Sequence, residues 1–75
     1  MDLIVPDLGE VEEVTLLRWL KGEGEEVEAG EAVAEVEADK AVFVIESPAA
    51  GILRSRRPEG SRVRPGEAIA QVLPG

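Results

Sequence analysis

Short runs of branched apolar residues alternate with glycine or proline along the whole 75-residue chain. Most runs are shorter than the roughly ten residues that a helix of a globular protein needs, and closely spaced turn residues are typical of an all-β domain. The segments that we expect to form strands are residues 2–5, 14–20, 26–27, 32–38, 41–46, 51–56, 62–63 and 68–73.

The two halves of the chain repeat each other at an offset of 36 residues. Eight residues in the window 23–36 are identical to their counterparts in 59–72. A fixed offset of this kind indicates a duplicated structural unit. Because each copy is too short to bury a core alone, the copies must pack on each other, and the link between them, which contains Lys40, becomes an exposed corner.

Residues 11–21 are the one segment in which a helix competes with a strand. The apolar residues at positions 14, 16, 17, 19 and 20 would line one face of a helix. The corresponding part of the second copy, around Ile52, lies between Pro48 and Pro58, which disfavour a helix. We therefore expect strands in both copies.

Residues 32–46 predict a β-hairpin whose two-residue loop is Asp39-Lys40. One face is then wholly apolar, with the pairs Ala38–Ala41, Val36–Phe43 and Ala34–Ile45. The other face carries the pairs Glu37–Val42, Glu35–Val44 and Val33–Glu46. A slip of one residue would bury carboxylates, so the pattern itself specifies the register and holds Lys40 at the tip.

The loop residues are unusual for such a hairpin. Turns of types I′ and II′ need positive φ angles, which glycine adopts most readily, and Asp39-Lys40 contains no glycine. We therefore expect either another turn type or a local preference that is sacrificed for function.

The composition excludes several classes of functional site, and it gives no sign of a membrane-spanning segment. The chain has no cysteine and no histidine, which excludes disulfides, the usual zinc sites and catalysis by either residue. The few aromatic residues suit a small aliphatic sheet rather than a ligand cavity, and we place Trp19, Val36, Phe43 and Ile45 in its core. No run approaches about 18 apolar residues and no signal peptide opens the chain, so we expect a soluble cytoplasmic protein without membrane contact, or a mitochondrial matrix protein in a eukaryote.

The net charge of −8 is distributed unevenly. Residues 1–40 carry 13 acidic and 3 basic side chains, whereas residues 41–75 carry 3 acidic and 5 basic ones. Either the two halves attract each other, or the acidic half forms a face for a basic partner protein. The first interpretation places two acid–base pairs at equivalent repeat positions, Glu26 and Glu28 opposite Arg62 and Arg64. Nucleic-acid binding is disfavoured under both, because the chain lacks a basic stripe.

Lys40 itself admits two interpretations. An exposed lysine is protonated at neutral pH, and nothing apolar surrounds this one to change that, so it is a poor catalytic nucleophile. It is either an ordinary solvated turn residue or an attachment point held out on a stiff hairpin.

An ordered set of residues along essentially the whole chain matches one known family. These residues are Val5-Pro6-Asp7-Leu8-Gly9, Trp19-Leu20 with Gly22 and Gly24, Gly30, Val36-Glu37-Ala38-Asp39-Lys40-Ala41, Ser47-Pro48, Ala50-Gly51, Gly60, Val63 and Gly66. The chain thereby resembles the lipoyl domains of 2-oxo acid dehydrogenase complexes. The resemblance implies a flattened β-barrel or sandwich of two four-stranded antiparallel sheets with quasi-twofold symmetry, and termini opposite the modified hairpin. It also implies that lipoic acid is joined to Lys40 through an amide, with Asp39 and Ala41 presenting the lysine.

The resemblance further implies a carrier without chemistry of its own, within a dihydrolipoamide acyltransferase. Its partners would be the thiamin-dependent 2-oxo acid decarboxylase, the acyltransferase core, dihydrolipoamide dehydrogenase, and a lipoate ligase or lipoyl transferase, and the isolated domain would be a monomer.

In this family the loop after Gly9 lies beside the modified lysine and helps the decarboxylase to recognise its carrier. The loop here lacks the further glycine that many members have, which leaves the cognate 2-oxo acid open. Glu12 and Glu13 fit ordinary solvated acids equally well. The residues predicted to meet partners are Gly9, Glu10, Val11, Glu12, Glu13, Val14 and Glu37.

Other functions compete with this one. Biotinyl carrier domains share the fold and the hairpin lysine, but they usually have methionine on both sides of it, where this chain has Asp39 and Ala41. The glycine-cleavage carrier protein also bears lipoyl-lysine but is considerably longer. An unmodified module that binds through its acidic face belongs to a different class, and a small hydrolase with paired carboxylates has no pocket in prospect. We expect one domain, residues 1–75, in which residues 73–75 begin a linker.

Overall fold

A computed structural model describes all 75 residues and contains eight β-strands. The strands are β1 (Asp2–Ile4), β2 (Val14–Trp19), β3 (Glu26–Val27), β4 (Ala32–Ala38), β5 (Ala41–Glu46), β6 (Gly51–Arg54), β7 (Arg62–Val63) and β8 (Ala68–Leu73). The expectation of an all-β domain is confirmed, including a strand rather than a helix at β2. The structure has no helix that could span a lipid bilayer.

The strands form two four-stranded antiparallel sheets, in the orders β1-β8-β6-β3 and β5-β4-β2-β7. Exchanging β1 with β5, β2 with β6, β3 with β7 and β4 with β8 converts one order into the other. The predicted quasi-twofold symmetry is therefore present. Each sheet contains strands from both halves of the chain, so neither copy folds into a layer of its own.

The same symmetry extends to hydrogen bonds made by side chains. The Glu23 carboxylate accepts a hydrogen bond of 3.0 Å from the backbone N–H of Ser55, and the Glu59 carboxylate accepts one of 2.9 Å from that of Trp19. These residue pairs are related by the offset of 36 residues. The duplicated glutamates thus tie each copy to the other.

Fifteen buried apolar side chains fill the space between the sheets. Val36 and Ile45 belong to this core as predicted, whereas Trp19 and Phe43 are only partly buried and pack against its margin. The indole N–H of Trp19 donates to the backbone oxygen of Arg57 at 2.8 Å, which holds the ring at the edge of the sandwich. Aliphatic side chains alone fill the centre.

Leu16 and Leu53 occupy equivalent places in the core, although their offset is 37 rather than 36. Both are completely buried, and their carbonyl oxygens accept equivalent hydrogen bonds of 2.7 Å from Gly60 and Gly24. The register of β2 against β4 shifts between Leu16 and Arg18. The extra residue of this bulge, Leu17, accounts for the difference.

Three predicted strands end earlier than expected. Residue 5 lies outside β1, residue 20 outside β2, and residues 55–56 outside β6. β6 ends because Ser55 adopts a φ of 58°, a left-handed conformation that cannot continue a strand. Pro6 has no N–H to donate to a ladder, which is consistent with the early end of β1.

The predicted pairing of Val33 with Glu46 is wrong. Ala32 pairs with Glu46 instead, and the register of the hairpin shifts between Ala32 and Ala34. This bulge turns Val33 inward, so Val33 and Ala34 are both completely buried. The alternating pattern assigned Val33 to the outer face because a bulge leaves no local trace in the sequence.

The predicted opposition of Glu26 and Glu28 to Arg62 and Arg64 is also wrong. β3 and β7 lie in different sheets, and neither Glu26 nor Glu28 forms an ion pair. The halves are instead joined by two ion pairs at the surface, Glu23–Arg56 at 3.6 Å and Glu13–Arg62 at 3.4 Å. A third pair, Arg57–Glu67 at 3.9 Å, lies within the second copy and is the counterpart of Lys21–Glu31 in the first.

Glu23 makes the stability of the fold sensitive to acid. Backbone hydrogen bonds from Arg56 and Ser55, and then the Arg56 guanidinium, lower the pKa of the Glu23 carboxyl. A carboxyl whose pKa is lower in the folded state stabilises the fold above the ordinary carboxyl range and loses that contribution as the pH falls. We expect Glu23→Gln to lower the urea midpoint at pH 7, and the difference from the wild type to narrow towards pH 3.

Glu26→Gln is the matched control, because the Glu26 side chain is exposed and makes neither a hydrogen bond nor an ion pair. Its urea midpoint should follow the wild type at both pH values. If Glu23→Gln lowers the urea midpoint by the same amount at pH 7 and at pH 3, the stabilising role assigned to the ionised Glu23 carboxylate is contradicted.

Candidate functional site

The β4–β5 hairpin holds Lys40 at its tip. Asp39 and Lys40 form the two-residue turn, and Ala38 pairs with Ala41 directly beneath it. The other predicted pairs from this turn inward are confirmed, namely Glu37–Val42, Val36–Phe43, Glu35–Val44 and Ala34–Ile45. Within the inward face Ala34, Val36, Ala38 and Ile45 are buried, while Ala41 at the tip is exposed. Burial of this face keeps the turn from sliding along the chain.

The turn is neither type I′ nor type II′. Both types need a positive φ at their first central residue, and Ser55 is the only residue other than glycine with a positive φ. The absence of glycine in Asp39-Lys40 therefore reflects a turn of another type, one of the two outcomes that the sequence left open.

The Lys40 side chain is exposed and its amine is uncommitted. No carboxylate lies within 4.0 Å of the amine, although Asp39 is its neighbour in sequence. Asp39 and Ala41 are exposed as well. An amine without a hydrogen-bond or ion-pair partner loses no interaction within the fold when it is converted to an amide. The site therefore fits a covalently attached acyl group.

Lys21, the other lysine of the chain, lies in a different environment. Its amine is 2.9 Å from the Glu31 carboxylate and 3.9 Å from that of Glu25. The hydrogen bond and charge of Glu31 raise the pKa of the Lys21 amine. The structure thus separates a structural lysine from one that is free to react.

The loop that precedes β2 lies beside the hairpin. An open depression of about 420 Å³ lies between them. It is lined by Asp39 of the hairpin and by Glu10, Val11, Glu12 and Glu13 of the loop. Gly9 begins the loop with a φ of 85°, and its N–H donates to the Asp7 carboxylate at 3.0 Å. The structure therefore brings the predicted recognition loop next to the turn that carries Lys40.

Two predicted recognition residues differ in what they expose. Val14 is the first residue of β2 and is buried, so its side chain contributes packing and offers nothing to a partner. Glu37 is exposed on the outer face of β4, with Val42 and Thr15 as its cross-strand neighbours.

Arg62 also lies at this site, although the sequence pattern does not predict it there. It pairs with Thr15 across β2 and β7, and it lines a depression of about 360 Å³ together with Glu13, Glu37 and Asp39. Its guanidinium lies 3.4 Å from the Glu13 carboxylate. Nothing in the sequence signals this position, because Arg62 belongs to the second copy and reaches the site through the exchange of β7 between sheets.

The surroundings of Lys40 are predominantly acidic, with Glu10, Glu12, Glu13, Glu37 and Asp39 on the loop and hairpin. No group of three or more acidic side chains converges closely enough to hold a metal ion. The site therefore consists of an accessible amine surrounded by carboxylates, without a recognisable set of catalytic side chains.

Residues 1–72 match the family model of Biotin_lipoyl, described as biotin-requiring enzyme. The chain belongs to this family. A Biotin_lipoyl domain of known structure, the lipoyl domain of the 2-oxoglutarate dehydrogenase complex from Azotobacter vinelandii, covers 100% of the chain with a TM-score of 0.78 and 28% identity, and the match extends over 98% of that domain. The resemblance to lipoyl domains and the predicted two-sheet fold are thereby confirmed.

Relatives of this Biotin_lipoyl domain are parts of 2-oxo acid dehydrogenase complexes. The succinyltransferase component of the 2-oxoglutarate dehydrogenase complex 1 from Arabidopsis thaliana is 43% identical over 53 residues, which are 69% of this chain and 11% of that protein. The acetyltransferase component of the pyruvate dehydrogenase complex from Rickettsia prowazekii is 54% identical over 41 residues, 55% of this chain and 10% of that protein. The pyruvate dehydrogenase E1 component subunit beta from Rhizobium meliloti is 39% identical over 54 residues, 71% of this chain and 12% of that protein. The chain spans about a tenth of the length of these relatives.

Proposed function

We propose that this domain is a lipoyl carrier and that lipoic acid is attached to the Nζ atom of Lys40. The observation that carries the proposal is the exposed, unpaired amine at the tip of the β4–β5 hairpin, in a fold that matches a lipoyl domain. The acidic surroundings, with only open depressions beside the hairpin, offer no alternative chemistry. The domain therefore serves as a carrier and has no catalytic role of its own.

Attachment requires an activated lipoyl group and an enzyme that supplies it. Lipoate ligase uses ATP to form lipoyl-AMP. The Lys40 nitrogen then bonds to the lipoyl carbonyl carbon, the bond from that carbon to AMP breaks, and AMP leaves with the electron pair while the ammonium gives up two protons. The loss of one positive charge leaves no carboxylate unpaired, because none is paired with Lys40.

The bound lipoyl group supplies a dithiolane that can accept an acyl group and two electrons. We infer that the partners are the thiamin-dependent decarboxylase, the acyltransferase core and dihydrolipoamide dehydrogenase, and that the parent chain is an acyltransferase in the cytoplasm or the mitochondrial matrix. The relatives include acyltransferase components and an E1 subunit beta, which supports the proposal that the parent protein is part of such a complex. Tethering would raise the effective concentration of the carrier to the millimolar range for a short flexible linker.

Intact-mass measurement distinguishes a lipoyl carrier from the two alternatives. The wild-type domain is incubated with lipoate ligase, lipoate and ATP, and in parallel with biotin ligase, biotin and ATP. We expect the mass of one lipoyl group to be gained in the first reaction and no gain in the second. A biotinyl carrier would show the reverse result, and an unmodified acidic interaction module would gain nothing in either.

A further inference from the structure

The outer face of β5 exposes two apolar side chains close to Lys40. Val42 and Val44 are 52% and 51% exposed, and they point to the same side of the strand because they are two residues apart. β5 is the edge strand of its sheet. The two valines therefore form a short apolar strip along one margin of the hairpin, which we call the β5 strip.

The β5 strip departs from the usual protection of a sheet edge. Edge strands are normally shielded by charged side chains or proline, and β5 carries neither between Ala41 and Ile45. The neighbouring strand β4 places carboxylates on the same outer face, with Glu37 beside Val42 and Glu35 beside Val44. The outer face of the sheet is therefore polar along β4 and apolar along β5.

The charges next to the β5 strip are unequal. Arg18 donates a hydrogen bond to the Glu35 carboxylate at 2.5 Å, so this charge is neutralised. Glu37, which lies nearer to Lys40, has no basic group within 4.0 Å. A surface that complements the strip would therefore be apolar with a basic side chain placed opposite Glu37.

The length of the lysine side chain indicates which partner must cover this surface. Lysine reaches on the order of 6 Å from Cα to Nζ, and Val42 lies about 7 Å further along the chain than Lys40. An enzyme that forms the amide has to bring its active site to within this reach of the hairpin, and so it contacts the residues beside the turn. A partner that acts on the attached lipoyl group meets an arm roughly twice as long and has no such requirement.

We propose that the β5 strip, with the Glu37 carboxylate beside it, is the docking surface for the enzyme that attaches lipoate to Lys40. This inference rests on the proposed function. The two valines lie on the opposite side of β4 from the loop that begins at Gly9, because β5 borders β4 on one side and β2, which follows the loop, borders it on the other. The domain would thus use one flank of the hairpin to be modified and leave the other flank for the enzymes of the complex.

The test replaces both valines with threonine, which keeps the β-branched shape and removes the apolar surface. We expect Val42→Thr/Val44→Thr to lower kcat/KM for lipoylation by lipoate ligase about tenfold, through a higher KM. Ile4→Thr is the matched control, because Ile4 is 49% exposed on β1, the edge strand of the other sheet, and it should behave as the wild type. Thermal unfolding checks that all three proteins fold equally well.

A second measurement separates docking of the ligase from docking of the later partners. The double variant is lipoylated to completion at high ligase concentration. Its reduction by NADH through dihydrolipoamide dehydrogenase, and its reductive acylation by the decarboxylase with a 2-oxo acid, are then measured. Both rates should equal those of the wild type. Unchanged lipoylation with slower reductive acylation would overturn the proposal and assign the strip to the decarboxylase.

The remaining outcomes are also decisive. Sedimentation that shows a wild-type dimer and a monomeric double variant would overturn the proposal and make the β5 strip a contact between two copies of the chain. If the wild type accepts no lipoate at all, the proposed function itself fails, and that result is obtained before any variant is made. The two proposals can therefore fail separately.

Discussion

Lys40→Arg is expected to abolish lipoylation completely while the domain stays folded. A guanidinium is delocalised and permanently protonated, so it does not attack an activated carbonyl as an amine does. The side chain at position 40 is exposed and makes no ion pair, so the change removes no packing and no hydrogen bond. Intact-mass analysis after incubation with lipoate ligase, lipoate and ATP should show no lipoyl group, with a thermal midpoint close to that of the wild type.

Lys21→Arg supplies the matched control, because the chain contains only these two lysines. Its arginine can keep the ion pair with Glu31, and Lys40 remains available, so one lipoyl group should still be added. Lipoylation of Lys40→Arg would contradict the assignment. Loss of lipoylation in Lys21→Arg alone would place the attachment site at the other lysine.

Leu16→Ala and Leu53→Ala are expected to cause the largest losses of stability. Both side chains are completely buried at twofold-related places in the core. Truncation of a buried leucine costs about 3–5 kcal/mol, because apolar contacts are lost and a cavity remains. A domain of this size has a free energy of unfolding of about 5 kcal/mol, so either change should leave a substantial part of the molecules unfolded at room temperature.

Urea denaturation followed by circular dichroism measures both losses. Leu17→Ala is the control, since Leu17 is the extra residue of the β2 bulge and is 38% exposed, and it should cost less than about 1 kcal/mol. Similar costs for Leu16→Ala and Leu53→Ala would show that the quasi-twofold symmetry extends to energetics. A much smaller loss for one of them would contradict the equivalence of the two positions.

The duplication raises the question of why the fold has one attachment site rather than two. The quasi-twofold symmetry relates the turn between β4 and β5 to the place where β8 and β1 meet, and there no turn joins the paired strands. Only one of the two equivalent corners is therefore closed by a hairpin. A single attachment point results from a fold that is otherwise built twice.

The sequence predicted the hairpin well because the information is local. Alternating apolar and acidic residues in β4 determine which face is buried, and a register that satisfies them from Ala38–Ala41 to Ala34–Ile45 places Lys40 in the turn. The prediction failed where that alternation is interrupted. At Val33 a bulge lets two successive residues enter the core, and only packing against the other sheet specifies it.

The amino-acid sequence by itself determined the all-β class, the duplication, the register of the hairpin tip and the position of Lys40, because each follows from residue spacing and turn chemistry. Only the tertiary structure decided that the copies exchange strands and that Arg62 lies beside Glu13 and Asp39. It also decided that the amine of Lys40 is unpaired while that of Lys21 is not, and that Val42 and Val44 remain exposed. These features depend on contacts between residues far apart in the chain, and such contacts form only when both copies pack around one core.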